Sequence, residues 1–246
     1  MPIIKDNKVL IVGVYMPATA NYVFDISAEL LRTRDWQVNL RWATVGGGAV
    51  PEGLRDLTLL EATVHIPKFV MLNRLLATID IDPYAFLVVI DDDIELPEDF
   101  LNQFLTYQQV HNFTLAQPAL TQDSYISHYF NTQQDGVAAR WTRFVEIGPL
   151  FSLRRDGYSH LLPFDERAPM GWGLDLVWPI KLETHGLRLG IIDALPIRHA
   201  LRKSWTNYNY HETNQAMLQY LADQVHLPIS EAFCALQTHL LGDCDE

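Results

Sequence analysis

The chain has 246 residues, 48% of them hydrophobic and 20% charged. That composition supports a packed core and excludes intrinsic disorder. Lys+Arg total 18 against 30 for Asp+Glu, a formal net charge of −12, which argues against general binding to nucleic acid or an anionic membrane and means that a phosphate-bearing ligand would need positive charge supplied locally.

The first apolar stretch, KVLIVGVY at Lys8–Tyr15, is β-branched throughout and reads as a strand buried on both faces. Tyr22 to Arg34 has helical spacing, with Phe24, Ile26, Leu30 and Leu31 available to one face. Trp36 to Thr44 alternates as a second strand. Val45 to Gly53 is a glycine-rich loop, and Thr63 to His65 is expected to be a third, short strand. Lys68 to Ile79 is an amphipathic helix. Ala85 to Ile90 (AFLVVI) is the strongest buried strand, running straight into Asp91, Asp92 and Asp93, and Pro97 is expected to open a helix through Tyr107.

Strand and helix alternate to this point, which implies an α/β layer with a largely parallel sheet. Further strands are expected at Thr114 to Ala119, Val145 to Leu153 and Leu187 to Asp193. Helices are expected at Asp175 to His185 and Asn209 to Val225. No repeat or linker appears, so residues 1–246 read as a single domain. No segment has the length of an uncharged membrane helix, and the short N-terminal apolar run has no cleavage site after it. Cys234 and Cys244 lack metal-binding spacing and read as reduced thiols of a cytoplasmic protein.

Chemistry concentrates in the acidic triplet. Ligands of open α/β sheets bind beyond the carboxyl ends of strands, and three carboxylates there repel one another unless a cation neutralises them. Oxygen donors suit Mg²⁺ or Mn²⁺, which in turn hold phosphate oxygens. A solvated turn capping the next helix is the competing reading. Alternation along an extended chain lets Asp91 and Asp93 converge while Asp92 faces away.

FLVVIDDDIELPEDFL resembles the stretch that GT-A-type, family-two-like glycosyltransferases write as an apolar strand, Asp-x-Asp-Asp, a spacer, Pro and a helix. Upstream, KFVMLNRLLATID is similar to the helix those enzymes carry before it, with Lys68 and Asn73 at the matching positions. Downstream, APMGWGLDLVWPIKLETHG is similar to the acidic motif that holds their general base, with Asp175 the matching acid. DALPIRH places His199 where many of them complete a metal site. WGLD is also similar to poorly characterised bacterial and plant members. The chain departs from the pattern in lacking an Asp after the first strand and a Gly-Gly pair before the acceptor site, where Glu146-Ile147-Gly148-Pro149 stands instead.

The resemblance covers roughly residues 8 to 200 and implies a GT-A fold, a mixed and mainly parallel sheet flanked by helices. It further implies a Mn²⁺- or Mg²⁺-dependent transfer from a nucleotide diphosphate sugar to a glycan or other hydroxyl-bearing acceptor. Asp91, Asp93 and His199 would hold the metal and Asp175 would be the base of an inverting reaction. Val14, Tyr15, Lys68, Asn73, Asp91, Asp92 and Arg202 would contact the nucleotide sugar. Glu146, Trp172 and Gly173 would contact the acceptor, Trp172 by stacking on a sugar ring. The RHALRK stretch, including Arg198, Arg202 and Lys203, is the one basic cluster, either a grip on pyrophosphate or a solvated face. Two other readings stay open: a catalytically silent nucleotide- or carbohydrate-binding protein of the same fold, and a nucleotidyltransferase. VGVYMPATA, without Lys or Arg, speaks against the latter.

Overall fold

The computed structural model describes residues 7–202 and 209–242. Lys203 and Cys244 lie outside them; Cys234 is exposed and free. In chain order the strands are β1 (Lys8–Tyr15), β2 (Gln37–Thr44), β3 (Thr58–Glu61), β4 (Phe86–Asp91), β5 (Leu115–Leu120), β6 (Val137–Thr142), β7 (Leu150–Arg154), β8 (Leu189–Ile197) and β9 (Ala235–Leu240). The helices are α1 (Val23–Leu31), α2 (Lys68–Leu76), α3 (Phe100–Val110), α4 (Tyr158–Leu161), α5 (Leu174–Glu183), α6 (Tyr210–Ala222) and α7 (Ile229–Ala232). None of the described helices is long and apolar enough to cross a membrane.

Among the described residues, the nine strands form one sheet, in the order β3-β2-β1-β4-β7-β5-β8-β6-β9. The β3-β2-β1-β4 half pairs parallel, and β5 pairs parallel with β8. β7 and β6 run against their neighbours, so every other strand points the same way. The chain goes from β1 outward to β2 and β3, then crosses back so that β4 pairs on the other side of β1. That reversal opens a crevice at the carboxyl ends of β1 and β4, the place where such sheets bind ligands.

Period-two alternation sends the strand residues into two cores. Leu10, Val12, Leu87 and Val89 meet Phe69, Leu72 and Leu75 of α2 and Leu174 and Trp178 of α5 on one face. Val9, Ile11, Phe86, Val88 and Ile90 meet Val23, Ile26 and Leu30 of α1 and Phe100 and Phe104 of α3 on the other. The helical residues recur every three to four positions, which turns one stripe to the sheet. Gly13 is required where β1 passes β2: a Cβ there would lie 2.2 Å from the Trp42 ring and 2.6 Å from the Ile90 carbonyl.

Several expected elements shift. The third strand is Thr58–Glu61, not 63–65. Residues 62–64 instead lend carbonyls to the glycine loop, Gly47 N–H donating to Ala62 O and Gly46 N–H to Val64 O. The strand expected from Val145 starts only at Leu150, because Pro149 has no amide for the ladder. The helix expected from Pro97 begins at Phe100, after Asp99 takes a left-handed turn at φ 56°. β6 and β9 carry no apolar alternation that marks them: Arg140 sits in the middle of one, and the other is almost wholly exposed.

Candidate active site

Alternation in β4 decides where the acidic triplet points. Leu87 and Val89 face α2, so Asp91, two residues further on, does too, and its Oδ1 lies 2.6 Å from Lys68 Nζ at the first turn of α2. Asp92 takes the opposite side, where it is 3% exposed. It does not face away from the site: its Oδ2 accepts from Met16 N–H at 3.1 Å and its Oδ1 from Arg202. Asp93 leaves the strand and meets two basic side chains, Arg202 Nε at 3.2 Å and His199 Nε2 at 3.3 Å. The triplet thus splits, with Asp91 on Lys68 and the other two bridged by Arg202.

His199 follows β8, the neighbour of β5, and is pinned through its backbone. Its N–H donates to Ser124 Oγ at 3.0 Å, and its carbonyl accepts from Tyr125 N–H at 2.7 Å. Arg198 beside it turns outward to Glu95 and Asp123. Of the basic cluster, then, Arg202 enters the site and Arg198 ties surface loops together.

These groups line a cavity of about 680 Å³ that also takes in Val14, Glu146, Trp172, Gly173 and Asp175. Asp175 lies in the first turn of α5, behind the N-cap Gly173, whose φ of 92° suits glycine. Glu146 sits in the turn before β7. Its N–H donates to the Gln117 side chain, and its Oε2 accepts from Asn131 Nδ2 at 2.6 Å. Asn131 is fully buried on a loop held by Arg140. That guanidinium donates to the Phe130 and Thr132 carbonyls and pairs with Asp193 at 2.9 Å, both side chains wholly buried.

Burial and charge set the protonation of these groups. Burial raises Asp92 to about 6, against the opposing pull of Arg202. Burial would raise Asp93 as well, but His199 and Arg202 outweigh it and hold Asp93 below the ordinary carboxylate range. Burial works against protonated His199, yet Asp93, Asp91 and Glu146 raise it overall. Glu146 is raised to about 7 by burial, against hydrogen bonds from Asn131 and Ser127. Asp175 is raised to about 7, first by burial and then by the charge of Glu146.

Two expected contacts fall outside the cavity. Tyr15 alternates into the opposite core, packs edge-on against Trp42 and bonds Thr58 Oγ1 at 3.1 Å. Asn73 spends both ends of its amide on the loop of residues 164–166, donating to Phe164 O and Glu166 Oε1 and accepting from Phe164 N–H. Arg140 and Arg143, whose sequence allows either acceptor contact or pairing with acids, pair with Asp193 and Glu183. Conversely, Met16, Tyr125, Ser127, His128, Tyr210 and Met217 line the cavity without a sequence signal that separates them from ordinary loop and helix residues.

Among the described residues, no three His, Cys, Asp or Glu side chains form a ready cation cage. Asp93 and His199 are nevertheless a matched oxygen and nitrogen donor pair within 3.3 Å of each other. A carboxylate with an imidazole fits Mn²⁺ better than Mg²⁺, which prefers oxygen alone.

No protein-family model matches the chain, and no curated protein matches its sequence. Among solved structures, it matches a crystal structure of GalNAc-T7 with UDP, GalNAc and Mn²⁺ at a TM-score of 0.59 and 10% identity. The match covers 82% of this chain and 45% of that one, so this chain spans less than half the length of that protein. At that identity the likeness is one of fold: a mixed sheet flanked by helices, of the GT-A glycosyltransferase type.

Proposed function

We propose that this protein is a metal-dependent glycosyltransferase that moves a sugar from a nucleotide diphosphate sugar to a hydroxyl-bearing acceptor. The observation that carries this reading is one cavity at the carboxyl edge of the sheet that gathers two kinds of group. Asp91, Asp92 and Asp93 line it with Lys68, His199 and Arg202, and so do Glu146, Trp172 and Asp175. The fold shared with a UDP- and Mn²⁺-bound protein supports it.

On this reading Asp93 and His199 hold Mn²⁺, with Asp91 close enough in charge to raise His199. The ion, when bound, supplies positive charge to the leaving diphosphate. Lys68 and Arg202 add fixed cations beside it. Val14, at the carboxyl end of β1, offers an apolar wall to the nucleotide. Asp175 takes the proton of the acceptor hydroxyl as its oxygen bonds to the anomeric carbon and the bond from that carbon to the diphosphate breaks, an inverting transfer. A carboxyl raised to about 7 by burial is poised for that proton at neutral pH.

The test is calorimetry with UDP, GDP and Mn²⁺. The wild type is expected to bind a nucleoside diphosphate only with the metal, and Asp93→Ala to lose that binding. Unchanged affinity in Asp93→Ala overturns the reading.

One observation favours a second reading. The Arg202 guanidinium already bridges Asp92 and Asp93, as it would in a protein that binds nucleotide or glycan without transferring sugar. In that case nucleotide binding needs no metal, and Asp175→Asn changes no measurable activity.

A further inference from the structure

A second cavity, of about 350 Å³, adjoins the site cavity. It shares His65, Met170, Trp172 and Met217 with the site cavity, so Trp172 is a wall common to both. It includes none of the residues assigned to the nucleotide or the metal.

The lining tells what it can hold. Pro67, Pro169, Met170, Trp172, Ala216 and Met217 form most of its wall. Of its four polar members, His65, Asn209, Glu212 and Thr213, two are committed to the start of α6: Asn209 Oδ1 accepts from His211 and Glu212 N–H, and Thr213 Oγ1 donates to the Asn209 carbonyl. A sugar ring buries many hydroxyls and needs free partners for them, whereas an apolar group needs only fitted apolar surface. The paired thioethers of Met170 and Met217 adapt to flat or linear shapes. Trp172 is itself held edge-on by Tyr210, at 5.1 Å and 75°, which leaves it a fixed wall rather than a loose flap.

We propose that this cavity seats an apolar group attached to the acceptor, so that the natural acceptor is a hydroxyl compound with an aryl or alkyl substituent rather than an unsubstituted sugar. The proposal rests on the glycosyltransferase reading of the adjoining site. Asp175, next to Gly173 and Trp172, is where the reacting hydroxyl sits, and the substituent then passes Trp172 into the second cavity.

The experiment titrates methyl, phenyl and octyl β-glucosides as probes, with and without UDP and Mn²⁺. The phenyl or octyl probe is expected to bind at least about 10-fold tighter than the methyl probe, since burying a ring or short chain is worth over 1.4 kcal/mol. A phenyl preference marks ring stacking and an octyl preference marks chain filling; either supports an apolar seat. Ala216→Phe fills only the second cavity. It should erase the preference while leaving UDP–Mn²⁺ affinity unchanged, and Thr213→Phe, one turn away on α6, should do the same if Ala216→Phe folds poorly. Equal binding of the three probes, binding of none, or a preference that survives both fillings overturns the proposal. UDP–Mn²⁺ binding that is absent while the apolar preference persists defeats the nucleotide-sugar reading alone.

Discussion

Asp175 and Glu146 carry a cost that shows in pH dependence. Each is raised to about 7, Asp175 from 3.8 and Glu146 from 4.5. Between those ordinary values and 7, the folded carboxyls stay protonated while the unfolded ones ionise. The folded state therefore binds more protons, and stability falls as pH rises through that window, reaching its full loss above about 7. Asp175→Asn removes one such group, while Glu146 stays raised by its own burial. Urea unfolding at pH 5 and pH 8 is expected to show the variant gaining on the order of 2 kcal/mol at pH 8, less at pH 5, and losing the share of the slope that Asp175 supplies while Glu146 keeps its own. Transferase activity of Asp175→Asn should fall by roughly 100-fold or more if the carboxylate is the base. Asp193 is also raised by burial, but it has a cation, Arg140, beside it. Arg140→Met leaves a buried carboxylate without its partner and frees the carbonyls of Phe130 and Thr132, for a loss of about 3–5 kcal/mol. Replacing Asp193 with Leu in the same chain should recover much of it. Two single variants and the double, unfolded in urea, check this.

At the scale of elements, legibility follows burial. β1, β4, α1 and α2 sit in or against the doubly buried half of the sheet, where unbroken apolar runs or helical stripes mark them plainly, and their expected positions match within a few residues. The exit of β4 into three acids was readable for the same reason. Glu146, Trp172 and Asp175, which line the same cavity, were singled out only by the resemblance of their motifs. How the triplet divides was not readable. Alternation holds for Asp91 but stops where the strand ends, so Asp93 turns to His199 and Arg202 instead of back to Asp91. β9 is an exposed edge strand and β6 buries a charge, so both hide from a hydrophobic pattern. Asn131 escapes notice because its place depends on Arg140, in β6, reaching across to Asp193 in β8. The same close packing makes a local prediction. Gly13→Ala puts a methyl against Trp42 and the Ile90 backbone, and backbone cannot give way as a flexible side chain can. The variant is expected to lose about 1–3 kcal/mol in urea unfolding, and Ala tolerated without loss would mean β1 and β2 lie further apart than the structure places them.

For the whole molecule, the net charge of −12 and the acids of the cavity act in the same direction. Both repel a free nucleoside diphosphate, and of the cavity cations Lys68 and Arg202 are already paired with Asp91, Asp92 and Asp93. A metal-bound diphosphate carries two fewer negative charges and brings its own partner for Asp93 and His199, so the long-range field and the local donors both select the complex over the bare anion. Binding that stabilises only the folded state adds about 2.7 kcal/mol at 100 times Kd, which for a chain of this size corresponds to a Tm rise of roughly 5–10 °C. Thermal unfolding with UDP and Mn²⁺ together is expected to show a rise of that order. UDP with EDTA should give almost none, and Asp93→Asn should abolish the rise measured against that variant's own baseline Tm. Added salt separates the two electrostatic contributions. It screens the distant surface charge and should improve metal-free binding slightly, while the contact between the ion, Asp93 and His199 lies within a few ångströms in a half-enclosed cavity and should change far less. A Tm rise with UDP that is indifferent to EDTA would place the affinity in Arg202 and Lys68 instead, and would favour the protein that binds without transfer.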